Sequence, residues 1–506
     1  MTLLMDAQSY QDLMDDFAEL RAIVGDNIKR LVGLKKPLEK HVRPGTANVL
    51  TEFIASTITN YQKLDNDLKT LLSMGVEEDV RRAIAEKKRI ADVVRSLQGV
   101  TGSLLASTDW QAPSFASAEQ SQAGTQTGQI TGTVNDYKRD HHTDATNYER
   151  RWRQAYIDAP FRFPPQVYVT ASGMAAFSTV LTTLATEDKI NGPILAGQAC
   201  YFENKLLLEK IFPGQIQYVD EMDTESVLAA MNELQPAAIF FDTLGNTEDV
   251  AAPDMARLVP KMIEAIKRPT ILVLDTTGTA TSYQPLRDFP RGPCKLSLIV
   301  VESLLKYHQF GFDRVSAGLM WRTGLTPLGI FGNRMHLGTG LVDASVLALP
   351  QPNRKLFDKR LARMSRNANL VAKALDEHAR TTKMTALAEV VYPGLPSHPA
   401  YEWMSKRDFQ GSFLVFKLKP QYCFTAYYKK FLKLVVDEAR KAGVDLNGGS
   451  SFGFDTTRVY LTALYARDHA APFIRISVGT ETLYEVEKLI VALTRAVDKL
   501  AFRLPL

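Results

Sequence analysis

From about residue 164 the chain alternates short apolar runs with amphipathic segments, and no other feature restricts its fold as strongly. Residues 167–170, 193–196, 216–219, 237–241, 270–274 and 296–301 read as strands, rich in Val, Ile, Leu and Phe. Helical periodicity fills 174–185, 203–211, a stretch from Thr224, and 254–266. Nearly continuous apolar strands separated by helices predict a mostly parallel sheet covered on both faces. The ligand of such a sheet sits beyond the carboxyl ends of its strands.

The flanking regions differ. Before this block, apolar residues recur at steps of three and four, as in Tyr10, Leu13, Met14, Phe17, Leu20, Ile23 and Val24. The same period returns in Leu50, Phe53, Ile54, Ile58 and Tyr61, and in Val80, Ile84, Ile90, Val93 and Leu97. Pro37 and Pro44-Gly45 read as punctuation between helices. Residues 1–110 are therefore expected to form a helical extension that packs on the rest or on another subunit. Residues 111–135 are small and polar and read as a linker. A large α/β domain at 136–350 and a smaller α/β domain at 351–506 complete the plan. The smaller one opens with a basic helix at 354–380, carries strands at 413–417 and 473–478, and ends in a helix at 482–502.

Composition narrows the function classes. Hydrophobic residues are 45% and charged residues 23%, the balance of a globular protein with a sizeable core. Lys plus Arg is 60 against 56 for Asp plus Glu, a net +4, which gives no support for nucleic-acid binding. No apolar run approaches the ~20 residues that span a bilayer, so no membrane partner is expected. Met1 to Ala7 lacks the features of a secretory signal. The isolated Cys200, Cys294 and Cys423 suggest neither a disulfide framework nor a zinc site, and a cytoplasmic location is expected.

Three motifs carry chemistry. In Thr170-Ala171-Ser172-Gly173-Met174-Ala175 a strand runs into a helix start, where Ser172 can cap and Gly173 lets an anion approach free amides. Alone, it also reads as a plain strand-to-helix turn. No GxGxxG or GxxxxGK[ST] pattern occurs there, which argues against NAD and ATP. Asp275 closes a buried strand and needs a cation or several donors; a protonated pyridine nitrogen would serve, and a cap on the next loop is the other reading. Lys306 follows a buried strand and Ser303. Burial and nearby cations would lower its pKa and free the amine for attack, while a loop lysine reaching solvent is the bland reading. An anion seat, an Asp about 100 residues later and a Lys about 30 beyond it suit pyridoxal 5′-phosphate (PLP).

Over about residues 135–503 the chain resembles the Cys/Met-metabolism family of fold-type I PLP enzymes, which contains cystathionine synthases and lyases and methionine γ-lyase. The resemblance rests on Tyr137-Lys138-Arg139, Ser172-Gly173-Met174-Ala175-Ala176, Tyr201, Asp242-Thr243-Leu244-Gly245-Asn246, Asp275, Ser303, Lys306-Tyr307, Ser451-Phe452-Gly453 and Ile474-Arg475-Ile476. It implies an aspartate-aminotransferase-like α/β fold with PLP in the large domain, a small C-terminal α/β domain and an added helical extension. By the same resemblance, Lys306 forms the Schiff base and moves protons, and Tyr201 stacks on the coenzyme ring. Asp275 meets the ring nitrogen, while Ser172, Gly173, Met174, Thr277 and Ser303 hold the coenzyme. Asn246 touches coenzyme and substrate, Ser451 lies in a substrate loop, and Arg475 binds the substrate carboxylate. Tyr137 and Arg139 would reach the coenzyme of a neighbouring subunit, where Tyr137 would also act catalytically on the substrate amine or leaving group, which implies a homodimer or homotetramer with shared sites.

The chain departs from the family pattern at Leu305, where Thr is usual, at Thr276-Thr277, and at Asp140-His141-His142-Thr143-Asp144. That last segment reads as a polar loop rather than a metal site. The implied activity is γ-elimination or γ-replacement on a γ-substituted amino acid through a vinylglycine-like intermediate. O-acylhomoserine, cystathionine and S-adenosylmethionine are the candidate donors. The added helices and altered loops favour replacement, with C–C or C–S bond formation in secondary metabolism. A cystathionine- or methionine-type C–S lyase, a PLP aminotransferase and a catalytically degenerate relative are the other readings.

Overall fold

A computed structural model describes residues 6–41, 44–73, 80–107, 138–139, 142–158, 165–324, 326–462 and 472–502. The expected linker at 111–135 lies outside them. The central sheet contains β1 (Gln166–Thr170), β2 (Ile194–Gly197), β3 (Ile216–Val219), β4 (Ala238–Asp242), β5 (Thr270–Asp275), β6 (Leu296–Ser303) and β7 (Gly318–Thr323), in the order β1-β7-β6-β5-β4-β2-β3. Successive side chains of a strand point to opposite faces. Leu272, Leu274, Leu298 and Val300 accordingly enter one core, while Ile271, Val273, Ile299 and Val301 enter another. Both faces are covered, which is why these strands carry no polar alternation. β7 was not foreseen: it runs antiparallel to both β1 and β6, so the parallel sheet has one reversed member.

The second sheet joins β8 (Leu387–Val391), β9 (Phe413–Leu418), β10 (Asn447–Gly448), β11 (Arg458–Thr462) and β12 (Phe473–Ser477) in the order β10-β11-β12-β9-β8. Sequence reading found only β9 and β12 here. Two-residue β10 is too short to stand out, and in β8 the exposed Ala388 and Glu389 break the apolar run after Leu387. The helix Arg354–Thr381 spans the two halves: Phe357, Leu361 and Met364 pack in the large core, and Ala368, Val371 and Leu375 in the small-domain core.

The N-terminal region is helical as expected, with α1 (Ala7–Val32), α2 (Lys35–His41), α3 (Pro44–Ser73) and α4 (Val80–Ser107). Pro37 does not break the chain; it falls in the first turn of α2, where no backbone donor is lost. Phe53 is 60% exposed and Val93 36%, so neither belongs to the buried stripe assigned to it. In α3 the true stripe is Ile54, Tyr61, Leu64 and Leu68. The helices share the core of the large sheet and do not form a separate one.

Charge fixes how α1 docks. Asp12, Asp16 and Glu19 lie on one face of α1, opposite Arg366, Arg363 and Arg360 of the helix Arg354–Thr381. Arg366 grips Asp12 with two 2.8 Å bonds, Arg363 meets Asp16 at 2.8 Å, and Arg360 meets Glu19 at 3.0 Å. Lys87 of α4 closes on Asp16 at 2.7 Å. Among the described residues, no helix is long and apolar enough to cross a membrane. Asp16→Ala would strand Lys87 as a buried cation and leave Arg363 only its longer contact with Asp12, and is expected to remove about 3 to 5 kcal/mol of stability. A lower urea midpoint would report it, whereas Asp15→Ala, at an exposed pair with Lys359, should barely move that midpoint.

Candidate active site

The carboxyl ends of the parallel strands open onto a cavity of about 250 Å³. β1 leads into Ser172, whose side chain accepts from the Ala175 amide at 3.0 Å and caps the helix Gly173–Thr186. The first amides of a helix have no partner within it, so those of Gly173 and Met174, on the cavity wall, form a seat for an anion. A Cβ on Gly173 would stand 3.0 Å from Ser303 Cβ, so a side chain there would push the helix start a few tenths of an ångström from the end of β6. Thr277 completes this corner: its hydroxyl accepts from the Ser303 amide at 3.0 Å.

Asp275 ends β5 on the same wall. It accepts from the Thr277 amide at 2.9 Å and from Asn204 at 3.3 Å, and makes no ion pair among the described residues. Burial pushes its pKa up, and these hydrogen bonds only partly oppose the shift. A cation at the cavity centre would satisfy it. Its sheet neighbour Asp242 is buried, accepts from the Tyr201 amide at 3.0 Å, and is held well above the carboxylate range first by burial and then by Asp275. Tyr201 itself lines the cavity at the start of the helix Phe202–Ile211.

Lys306 projects from the loop after β6. Its Nζ donates to Ser451 Oγ at 2.8 Å and lies 5.2 Å from the centre of the Phe452 ring. Burial first, then the Arg475 cation, lower its pKa to about 8, against the pull of Asp313 and Asp275. Arg475 comes from β12, where Ile474 and Ile476 face the small-domain core and the residue between them faces the cavity. It is 2% exposed. One arm donates to Asn246 Oδ1 at 2.6 Å and the other to the Ser450 carbonyl, while Nε has no partner among the described residues. Burial lowers even this guanidinium to about 10. A buried guanidinium with only neutral partners is ready for a carboxylate.

Ser172, Gly173, Met174, Tyr201, Asn246, Asp275, Thr277, Ser303, Lys306 and Arg475 thus share one cavity, and Ser451 reaches it through Lys306. Arg139 does not: with Lys138, His142 and Arg334 it lines a separate cavity of about 280 Å³. Tyr137 lies outside the described residues. His142 caps the helix Thr143–Tyr156, and among the described residues no group of three or more His, Cys, Asp or Glu side chains could hold a metal. Sequence reading missed Asn204, which sits one helical turn after Tyr201, and Asp242, which closes a buried strand just as Asp275 does. It also missed the aromatic walls Phe413 and Phe452.

An anion seat, an Asp in need of a cation and a desolvated lysine at the strand ends suit the phosphate, ring nitrogen and aldehyde of PLP. A family profile described as Cys/Met metabolism PLP-dependent enzyme matches residues 110–497, and the chain belongs to that family. It is 24% identical over 324 residues, 63% of its length, to the bifunctional enzyme flvA of Aspergillus flavus, covering 37% of that protein. It is 29% identical over 260 residues, 49% of its length, to an L-methionine gamma-lyase of Fusobacterium nucleatum, covering 59% of it. The chain therefore spans less than two thirds of either relative. In fold it is similar to metB from Corynebacterium glutamicum, at TM-score 0.57 and 20% identity over 77% of this chain and 92% of that one.

An amine attacks an aldehyde only when neutral. Capture of PLP by the coenzyme-free protein should therefore accelerate as pH rises through about 8, the value to which Lys306 is lowered. Arg475→Met removes a like charge and should move that midpoint upward. Stopped-flow absorbance across pH 6 to 10, roughly the range that brackets the shift, measures both.

Proposed function

We propose that this cavity binds PLP through Lys306 and acts on an amino acid carrying a γ leaving group, by γ-elimination or γ-replacement. The observation that supports this best is Arg475, a buried guanidinium without an anionic partner among the described residues, facing the cavity that holds a desolvated lysine. The amides of Gly173 and Met174 with the hydroxyls of Ser303 and Thr277 would hold the phosphate. Asp275 would keep the ring nitrogen protonated, and Tyr201 would lie against the ring. When bound, the coenzyme supplies an electron sink conjugated to the substrate nitrogen.

The remaining chemistry belongs to the chain. Arg475, oriented by Asn246 and Ser450, fixes the substrate carboxylate. Lys306, once released by the substrate amine, takes the Cα proton and moves protons at Cβ. Its seat beside Ser451 and Phe452 keeps water from competing for those protons. We favour replacement over plain elimination, with C–C or C–S bond formation in secondary metabolism. The support is the helical extension and Leu305 on the cavity wall, where a family hydroxyl is absent. Tyr137 and Arg139 of a second copy would complete the site in a homodimer or homotetramer, which agrees with Arg139 facing away from its own chain's cavity. We place the enzyme in the cytoplasm, where its three free thiols would stay reduced.

Offered O-acylhomoserine, cystathionine and S-adenosylmethionine in turn, the holoenzyme is expected to release the γ-substituent of at least one, followed by mass spectrometry. Keto-acid formation with the γ-group retained would instead identify an aminotransferase, and no reaction with any would overturn the reading. Lys306→Ala should abolish both turnover and the visible absorbance of the lysine-bound coenzyme. Arg475→Met should raise KM for the amino acid about 10- to 100-fold, the weight of lost charge-assisted hydrogen bonds.

A further inference from the structure

One loop holds both cations of the site, and that loop is tied to the N-terminal helices. Ser450 gives its carbonyl to Arg475, and Ser451 its hydroxyl to Lys306. At Gly453 (φ +88°) the loop presses directly on Lys306, since any Cβ there would collide with the Lys306 carbonyl. Asp455 anchors the far end. Thr480 donates to it twice, from its amide to the Asp455 carbonyl at 3.1 Å and from its hydroxyl to Oδ1 at 3.2 Å. Arg360 donates to the same Oδ1. The other arm of Arg360, a side chain from a residue only 4% exposed, ends on Glu19 of α1 at 3.0 Å.

The extension makes a second tie to the segment that follows Lys306. Arg95 of α4 donates to the Phe312 carbonyl at 2.5 Å and to the Asp313 carbonyl at 3.4 Å. Asp313 is among the charges that act on Lys306. Both segments that set the surroundings of the reactive amine are therefore gripped from the helical extension, by side chains that touch no reacting atom.

We propose that the N-terminal helices are a positioning element of the active site, in which Glu19, through Arg360 and Asp455, holds the 450–455 loop where it clamps Lys306 and Arg475. This rests on the functional reading of the cavity given above. Glu19 and Arg360 are positioning residues and take no part in proton transfer. Loss of the Glu19 contact leaves Arg360 with a single carboxylate and lets the loop recede. Ser451 then releases Lys306 to water, which raises its pKa, and Ser450 loosens its hold on Arg475, which weakens the grip on the substrate carboxylate.

The full-length protein serves for the test, with Glu19→Gln, Asp455→Asn, the double variant, and Asp15→Asn as a control on the exposed face of α1. Glu19→Gln preserves size and should raise KM for the reacting amino acid about tenfold, with a smaller change in kcat. It should also move the pH midpoint of PLP capture by Lys306 upward from about 8. In the double variant the two effects should overlap rather than add. A lower melting temperature with KM and midpoint unchanged would reduce the relay to packing and overturn the proposal, as would full additivity or an equal effect of Asp15→Asn. The capture midpoint needs no substrate. If the wild-type protein captures no PLP, the functional reading fails and the relay with it; if it does and Glu19→Gln changes neither KM nor midpoint, the relay alone fails.

Discussion

Two cations share one desolvated cavity, and among the described residues neither has a carboxylate within ion-pair reach. Lys306 meets a serine hydroxyl, and Arg475 meets an amide and a carbonyl. Like charges out of water repel strongly unless one gives up its proton or an anion arrives. The lysine yields, because an amine deprotonates far more readily than a guanidinium. Burial first, and this repulsion second, lower the Lys306 pKa to about 8, while Arg475 stays charged and waits for a carboxylate. Asp275, buried on the opposite terms, needs a cation. The cavity is unbalanced in the ways that a phosphorylated pyridine aldehyde and a zwitterionic amino acid would correct.

The scaffold explains why these groups meet. Ser172, Asp242, Asp275 and Ser303 come from adjacent or near-adjacent strands of a sheet whose carboxyl ends share one rim. A parallel sheet covered on both faces delivers side chains from residues far apart in sequence to that rim. Arg475 arrives from the second sheet, on a strand whose neighbouring residues are locked into a different core. The cavity therefore lies where the two sheets meet, and its geometry depends on how firmly Phe413, Val415 and Phe473 of the second sheet pack into the core of the first.

Much of this was legible because strand-end motifs are local. Ser172-Gly173, Asp275 and Lys306 each sit where a buried apolar run stops, and six of the seven large-sheet strands read out within a residue or two at each end. β6 was read short, because its last turns toward the cavity carry the polar Glu302 and Ser303. β7 was not read as a strand at all, and its reversed direction was not legible. Gly318-Leu319-Met320-Trp321 is apolar like its neighbours, and direction depends on the path of the chain before it. The docking of α1 was equally hidden. Asp12, Asp16 and Glu19 interrupt an apolar stripe, and nothing local says that arginines more than 340 positions later will neutralise them. The excess of positive charge on the helix Arg354–Thr381 was visible, but its meaning lies in that pairing.

The spacing of the ladder gives it a purpose beyond stability. Buried ion pairs return little net free energy after desolvation, yet a mismatched rung leaves a buried charge unpaired at a cost of several kcal/mol. The acids of α1 are four and three residues apart, and the arginines facing them three and three, so sliding one helix past the other by a rung leaves a charge at each end without its partner. The ladder selects a single register. It does so over residues 360–366, the stretch where the helix Arg354–Thr381 leaves the core of the large sheet and enters that of the small domain. A brace placed there resists motion between the two halves, and the groups that such motion would separate are Lys306 on one side and Arg475 on the other.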